Sequence, residues 1–273
     1  MPRYLGRPVA SWPSDGSIRG PPSCHEPSLV LSTNTGASVH VTSVAVSPTM
    51  GLAAAVRTAF ERAMVNDGKI ADAVLDLPGM SGRKYRRFIN NLIELVSAPR
   101  YLEIGVWQGS TFCSAIFENE VTATAIDNWS TFGGRRVEFL ENLEKFKGKA
   151  NTNILEKDFR DIDFRQLGKF NVYFFDGPHS YEDQYDAIVL TKCALTEAFV
   201  LIVDDWNREI VRRGTFDGLH DNKYHIDYAL EIRTSVDNSH GPVQKIREWA
   251  KEWREGQSDW HNGYFIAALR KPI

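Results

Sequence analysis

The sequence predicts an α/β fold in which helices cover both faces of a mostly parallel sheet. From residue 99 onward, short apolar runs alternate with stretches of helical periodicity, the pattern of right-handed βαβ units. Each of the first five runs also contains or is followed by an acidic residue near its carboxyl end. Ligands bind at the carboxyl ends of the strands in such sheets, so the pattern predicts a functional edge as well as a fold.

Two amphipathic helices are predicted before the sheet. The first has an apolar stripe from Leu52 to Met64, and the second begins at Ser81 and ends before Pro99. Residues 51–98 are therefore predicted to be a helical N-terminal extension of a domain over residues 99–273.

The sheet elements follow in order along the chain. Strands are predicted at Arg100–Ile104, Thr122–Ile126, Asn153–Glu156, Val172–Phe175, Val200–Val203, near Tyr228–Arg233, and at Tyr264–Leu269. Helices are predicted near Thr111–Phe117, Arg135–Phe146, Tyr181–Thr196 and Arg208–Leu219. The alternation breaks near the end, where Val243–Trp253 is predicted to be a surface helix between two strands.

Residues 1–50 differ in composition from the rest of the chain. They hold five charged residues but 7 of the 12 prolines. Such a segment buries too little apolar surface to offset the entropy of ordering it, so we expect a disordered or loosely ordered tail.

Whole-chain properties exclude several classes of protein. The net charge of −3 lacks the basic footprint of a nucleic-acid binder, and no apolar run is long enough to cross a membrane. Three separated cysteines form neither a zinc motif nor a disulfide framework. These features predict a cytoplasmic protein with a small-molecule substrate, without nucleic-acid or membrane partners, and with homo-oligomerisation left open.

A glycine turn follows the first predicted strand, in the order Glu103-Ile-Gly105-Val-Trp-Gln-Gly109-Ser110. It lacks the three-glycine motif that cradles a pyrophosphate. Glu103 would repel a phosphate but attract an ammonium group. Asp127 ends the second strand, where an acid binds ribose hydroxyls. These features favour S-adenosylmethionine over NAD, with Glu103, Gly105, Gly109, Ser110, Asp127, Asn128 and Asp158 as cofactor-binding residues.

Alternatives stay open for Asp158 and for a nearby segment. Asp158 either contacts the adenine amino group or caps a short helix near Asp161–Leu167. The segment Phe132–Arg136 is either a loop that closes over the adenine or the substrate, or a plain connection.

Three carboxylates follow the fourth and fifth strands, which are predicted neighbours. Asp176, Asp204 and Asp205 would repel one another strongly unless they were protonated or neutralised. Mg²⁺ prefers oxygen ligands of this kind, so the three are predicted metal ligands; the alternative is that Asp205 caps a helix and Asp176 stabilises a turn. His179 follows in the next loop and is the predicted general base, with Asp176 as its catalytic partner.

These motifs carry a family resemblance. The sequences FFDGPHSYED and LIVDDW, together with the glycine turn, resemble class I S-adenosylmethionine-dependent methyltransferases, and within them the metal-dependent macrocin O-methyltransferase group. The resemblance spans roughly Ser81–Lys271 and implies a Rossmann-like, seven-stranded sheet with an antiparallel last strand. It also implies that Asp176, Asp204 and Asp205 are metal ligands and that His179 is the base.

The predicted function is therefore Mg²⁺-dependent transfer of a methyl group from S-adenosylmethionine to a hydroxyl of a small molecule, such as a sugar of a natural product. Two alternatives keep the fold, namely a metal-independent N- or carboxylate methyltransferase and a catalytically inactive cofactor-binding protein. Trp260–Gly263 is predicted to be a packed turn, with contact between His261 and the substrate as the alternative. Arg208, Arg212 and Arg213 are predicted to form a solvated helix face, with contact to an acidic substrate as the alternative.

Overall fold

The structure, a computed structural model, describes residues 48–234 and 260–272, which all belong to one compact unit, Ala45–Ile273. The predicted tail before residue 48, the predicted helix Val243–Trp253 and Cys24 lie outside the described residues.

Seven strands form one sheet, in the spatial order β3-β2-β1-β4-β5-β7-β6. β1 to β5 are mutually parallel, and β7 runs antiparallel between β5 and β6. This arrangement confirms the predicted Rossmann-like sheet with an antiparallel last strand. The strands are β1 Arg100–Ile104, β2 Thr122–Asp127, β3 Asn151–Glu156, β4 Phe170–Phe175, β5 Leu195–Val203, β6 His225–Ile232 and β7 Tyr264–Arg270.

Seven α-helices accompany the sheet within the described residues. They are α1 Pro48–Met64, α2 Asp72–Leu75, α3 Arg83–Leu95, α4 Ser110–Ile116, α5 Arg136–Phe146, α6 Tyr181–Thr191 and α7 Glu209–Asp221. No helix among them is both long and apolar enough to cross a membrane.

The side chains of the strands alternate between two apolar layers. Along β4, Val172 and Phe174 belong to the layer that includes α1, α3 and α4 residues, whereas Tyr173 and Phe175 belong to the layer of α6 and α7. A sheet covered on both faces needs apolar side chains in both directions, which explains the continuous apolar runs in the sequence.

Several predicted boundaries are wrong by a few residues. α3 begins at Arg83, because Ser81 turns its hydroxyl to Arg86 rather than capping the helix. α6 ends at Thr191, since a 3₁₀ turn, Lys192–Ala194, leads into β5. The short helix predicted near Asp161–Leu167 is instead two separate 3₁₀ turns.

The strand order changes direction between β1 and β4. The chain moves outward from β1 to β2 and β3 on one side, then crosses to β4 and β5 on the other. The connections after β1 and β4 therefore lead to opposite sides of the sheet. They leave a crevice between the carboxyl ends of these two strands, which is where ligands usually bind in this fold class.

Candidate functional site

A cavity of about 480 Å³ opens along the carboxyl ends of β1 to β5. It lies at the crevice described above and has the volume of a small-molecule site. Nine of the eleven predicted site residues line it: Gly105, Ser110, Asp127, Asn128, Asp158, Asp176, His179, Asp204 and Asp205. Glu103 and Gly109 lie behind the wall and do not line it.

The glycine turn brings β1 close to β4. Gly105 has φ of +88°, and its backbone N–H donates to Ile126 O at 2.9 Å. A Cβ atom at this position would lie 2.0 Å from Asp176 O, well inside van der Waals contact. Only glycine combines this left-handed conformation with so close a backbone approach.

Glu103 is fully buried beneath this turn. Its Oε2 accepts a hydrogen bond from the Tyr101 hydroxyl at 2.6 Å, and its Oε1 accepts one from the Thr111 hydroxyl. Burial raises the pKa of Glu103 to about 8, although both hydrogen bonds favour the ionised form. The carboxyl is therefore built into the support of the turn, and its predicted contact with an ammonium group stays a prediction.

Asp127 ties two loops together at the centre of the cavity. Its Oδ2 accepts hydrogen bonds from Val106 N and Trp107 N, both at 2.9 Å, and its Oδ1 accepts one from Trp129 N at 2.7 Å. A carboxylate oxygen has two lone pairs, so Asp127 keeps the capacity to accept a further hydrogen bond from a ligand.

Asn128 and Asp158 meet on the wall beside β2 and β3. Asn128 Nδ2 donates to Asp158 Oδ2 at 3.2 Å, while Asp158 Oδ1 accepts from Arg160 N at 3.0 Å. The capping alternative for Asp158 is thus observed, at a 3₁₀ turn. Because Asp158 also lines the cavity, the cap does not remove its predicted contact with the cofactor.

The three carboxyls beyond β4 and β5 form a compact acidic group. The charges of Asp176 and Asp204 repel each other, and both are also repelled by the charge of Asp205. Burial and mutual repulsion raise the pKa of Asp204 to about 8 and that of Asp176 well above its usual range. Among the described residues, the buried Asp204 Oδ1 has no hydrogen-bond partner.

His179 faces this acidic group from the loop between β4 and α6. Its Nε2 lies 3.5 Å from Asp205 Oδ2 and 4.0 Å from Asp176 Oδ1. About a quarter of the side chain is exposed, and it lines the cavity. Ser180 directly after it caps α6 through a reciprocal pair of hydrogen bonds with Asp183. The cap holds the loop in place, because it fixes the residue next to the imidazole.

The donor set suits Mg²⁺ in chemistry but does not enclose an ion in this geometry. A hard cation would neutralise the repulsion among the three carboxyls, which raises the pKa values of Asp176 and Asp204. It would also give the buried Asp204 Oδ1 a partner. Across residues 48–234 and 260–272, however, no three His, Cys, Asp or Glu side chains are placed to hold a metal ion. The Mg²⁺ prediction is therefore not confirmed.

The structure adds residues that sequence reasoning missed or assigned to structure alone. Asn262 Nδ2 donates to Asp205 Oδ1 at 2.8 Å, so the turn after Trp260 orients a site carboxylate. Met80 and Ser81 bring the N-terminal extension to the cavity wall. The Trp260–Gly263 motif was a visible signal for Asn262, whereas nothing in the pattern around Ser81 marked it as a wall residue.

The predicted solvated face of α7 is partly wrong. Arg212 is buried and its Nη1 donates to Trp206 O at 2.7 Å and Asn207 O at 2.8 Å, which fixes the loop after β5. Arg208 lines the cavity, with its Nη1 3.6 Å from Asp205 Oδ2.

Strained backbone is concentrated at this cavity. Nine non-glycine residues in the described part have positive φ, and five of them line the cavity, which is where such strain is usually retained for function. The five are Trp107, Trp129, Phe132, Asp205 and His261.

Comparison with known proteins agrees with the predicted enzyme class. Residues 102–206 match a family model described as a methyltransferase domain, which covers less than half of the chain. The matched segment runs from β1 to the loop after β5 and contains every predicted site residue. The prediction of a methyltransferase is thereby confirmed, while the macrocin group is not.

Solved structures with a similar fold are distant relatives. An O-methyltransferase of Bacillus cereus in complex with S-adenosylhomocysteine is 12% identical, with coverage of 80% of this chain and 91% of that one and a TM-score of 0.48. TrmN of Thermus thermophilus is 12% identical, with coverage of 73% and 52% and a TM-score of 0.45. No curated protein matches the chain. The fold assignment rests on the observed strand order.

Proposed function

We propose that this protein is an S-adenosylmethionine-dependent O-methyltransferase that methylates a hydroxyl of a small molecule, such as a sugar of a natural product, as in the macrocin group. One observation carries the proposal: His179 Nε2 faces the carboxylates of Asp205 and Asp176 on the wall of the cavity that also holds the glycine turn and Asp127. A base and a cofactor cradle on one cavity are what a proton-coupled methyl transfer requires.

The reaction balances with these residues alone. The acceptor oxygen attacks the sulfonium methyl carbon, and the carbon–sulfur bond breaks with its electron pair moving to sulfur. His179 Nε2 takes the hydroxyl proton, and the carboxylate of Asp205, 3.5 Å away, stabilises the resulting imidazolium. The products are the methyl ether, S-adenosylhomocysteine and a proton on the enzyme.

The cofactor would span the wall from β1 to β3. Asp127 would accept hydrogen bonds from the ribose hydroxyls, and Asn128 and Asp158 would contact the adenine. The turn from Gly105 to Ser110 would face the amino-acid moiety, with Glu103 beneath it. The ammonium group of that moiety would favour the ionised form of the Glu103 carboxyl. The complex of the Bacillus cereus enzyme with S-adenosylhomocysteine supports this choice of cofactor.

We further propose Mg²⁺ as a second cofactor, held by Asp176, Asp204 and Asp205. Bound there, the ion would supply Lewis acidity that lowers the pKa of a substrate hydroxyl. The alternative is a metal-independent methyltransferase with a nitrogen or carboxylate acceptor, in which these three side chains hold no ion.

The proposal includes a small-molecule acceptor and a cytoplasmic setting. The volume of the cavity and its position at the sheet edge support a small acceptor. The two described cysteines, Cys113 and Cys193, are both free thiols, which suits a reducing compartment.

Calorimetric titration tests the proposal. The protein should bind S-adenosylhomocysteine and should not bind NAD, because its glycine turn lacks a phosphate cradle. Binding of NAD alone, or of neither ligand, would overturn the proposed function. Binding of S-adenosylhomocysteine without turnover on any hydroxyl, amine or carboxylate acceptor would instead support a catalytically inactive binding protein.

A further inference from the structure

The N-terminal extension carries a buried arginine without an acidic partner. Arg86, on α3, is fully buried, and within the described residues it forms no ion pair. Its Nη1 donates to Leu75 O at 2.9 Å and to Leu77 O at 2.7 Å, and its Nε donates to Ser81 Oγ at 2.9 Å. Nη2 is buried and has no hydrogen-bond partner in this part of the chain.

This guanidinium lies directly behind one corner of the cavity. Ser81 Oγ is 3.3 Å from Ser110 Oγ, and both serines line the cavity. A Cβ atom on Gly79 would lie 2.0 Å from Ser110 Oγ and 2.9 Å from Arg86 Nη2. The unpartnered Nη2 and the Ser110 hydroxyl therefore flank the same glycine, and only a glycine leaves room for both.

The hydrogen bonds from Arg86 have a fixed direction. A guanidinium has donors and no acceptor, so Ser81 Oγ must accept from it. The Ser81 hydroxyl proton is then available to Ser110 or to the cavity, and the Ser110 proton is available beyond it. The corner consequently presents O–H donors, with a positive charge behind them, to whatever occupies the cavity.

A buried cation is costly unless an anion compensates it. Burial lowers the pKa of Arg86 to about 10, so the guanidinium stays protonated at neutral pH. Two other cations line the cavity, but Lys157 is exposed, and Arg208 is only half-buried and lies 3.6 Å from Asp205 Oδ2. Only this corner combines donors with an unpaired buried cation among the described residues.

We infer that Arg86, acting through Ser81 and Ser110, makes this corner a carboxylate-binding subsite, and that its ligand is the α-carboxylate of the cofactor's amino-acid moiety. The inference rests on the proposed function, because it takes the occupant to be S-adenosylmethionine. Ser110 begins α4 directly after the glycine turn, beside which that moiety is proposed to lie. Ser81 and Ser110 contact the ligand, and Arg86 is a positioning residue.

Paired ligands test the inference in the full-length protein. Dissociation constants are measured for S-adenosylhomocysteine and for its decarboxylated analogue, 5′-(3-aminopropylthio)-5′-deoxyadenosine. The wild type should prefer the carboxylate-bearing ligand. Ser81→Ala should weaken its binding by about tenfold, the loss of a charge-assisted hydrogen bond, with the analogue unaffected. Arg86→Met should reduce the preference further, and Arg86→Lys should restore part of it.

Ser114→Ala is the matched control, because this buried serine on α4 donates to Ser110 O and does not line the cavity. It should leave the preference unchanged. Equal loss of both ligands in Ser81→Ala, or equal binding of both ligands by the wild type, would overturn the subsite alone. Failure of the wild type to bind either ligand would overturn the proposed function. Ser81→Ala keeps the test decisive if Arg86→Met does not fold, since it leaves the guanidinium's bonds to Leu75 and Leu77 in place.

Discussion

His179 derives its proposed role from its neighbours rather than from its own exposure. Its Nε2 lies within 4.0 Å of the carboxyls of Asp176 and Asp205, and the Asp205 carboxylate would stabilise a proton taken from the acceptor. We expect His179→Ala to lower kcat by about 10²- to 10⁴-fold while the affinity for S-adenosylhomocysteine stays within twofold. Turnover measured across pH checks this, and wild-type kcat in the variant at every pH would contradict the base assignment.

Gly105 is the residue at which a single methyl group should do most harm. Gly105→Ala would place a Cβ against Asp176 O and force a left-handed conformation on alanine, so we expect loss of S-adenosylhomocysteine binding in calorimetry. Gly148→Ala is the matched control. Gly148 also has positive φ, but no atom lies within 4 Å of the added Cβ, so it carries the backbone strain alone. Equal binding by both variants would contradict the close-approach argument.

At the scale of the element, the start of α6 links stability to catalysis. Ser180 accepts from Asp183 N at 3.1 Å, and Ser180 N donates to Asp183 Oδ2 at 2.9 Å. We expect Ser180→Ala to lower the free energy of unfolding by about 1 kcal/mol, measured in urea, and to lower kcat because the His179 loop loses its anchor.

The same cap should make the free energy of unfolding depend on pH. Burial favours the neutral carboxyl of Asp183, but the bonds from Ser180 and the ion pair with Arg160 outweigh it and lower its pKa. This stabilisation is present above the unfolded-state pKa and is lost as the pH falls through the folded-state pKa. Asp183→Asn should therefore lower the free energy of unfolding at neutral pH, and by less at low pH, where the wild-type carboxyl is itself protonated. A deficit independent of pH would contradict the role of the Asp183 charge.

At the scale of the whole molecule, buried acids make stability fall as pH rises. Burial raises the pKa of Glu103 to about 8, whereas an unfolded glutamate has a pKa of about 4.3. Between these values the folded state binds more protons, so the free energy of unfolding decreases with rising pH until the folded-state pKa is passed. We expect Glu103→Gln to flatten this slope between pH 5 and 8 in urea unfolding. Glu144→Gln, at an exposed position on α5, is the control and should leave the slope unchanged. Equal slopes for the wild type and Glu103→Gln would contradict the raised pKa of Glu103.

The acidic group should also respond to a divalent cation. Asp176, Asp204 and Asp205 repel one another, so Mg²⁺ should raise the Tm of the wild type but not of Asp204→Asn. Turnover should fall after chelation and return when Mg²⁺ is added back. Undiminished turnover without metal would contradict the role of Mg²⁺ and favour the metal-independent alternative.

Much of this architecture follows from sequence because parallel strands buried on both faces have a strong signature. All seven predicted strands occur, and the acids near the carboxyl ends of β1 to β5 are brought to one edge by strand direction alone. Helix boundaries were less predictable. Serine is a common helix cap, so the sequence pattern suggested that a helix begins at Ser81. Its hydroxyl instead accepts a hydrogen bond from Arg86, and the apolar pattern that predicts helices does not report such a contact.

The sequence by itself determined the order of the elements, the edge where the chemistry lies and most of its residues, because period-2 and period-3.6 patterns and strand ends are local properties. Only the tertiary structure decided what depends on packing in three dimensions. It placed Glu103 beneath the turn rather than on the cavity wall, set Asn262 against Asp205, and brought α3 with Arg86 behind Ser110. Burial and hydrogen bonding between distant segments set those positions, and neither is written in the spacing of residues along the chain.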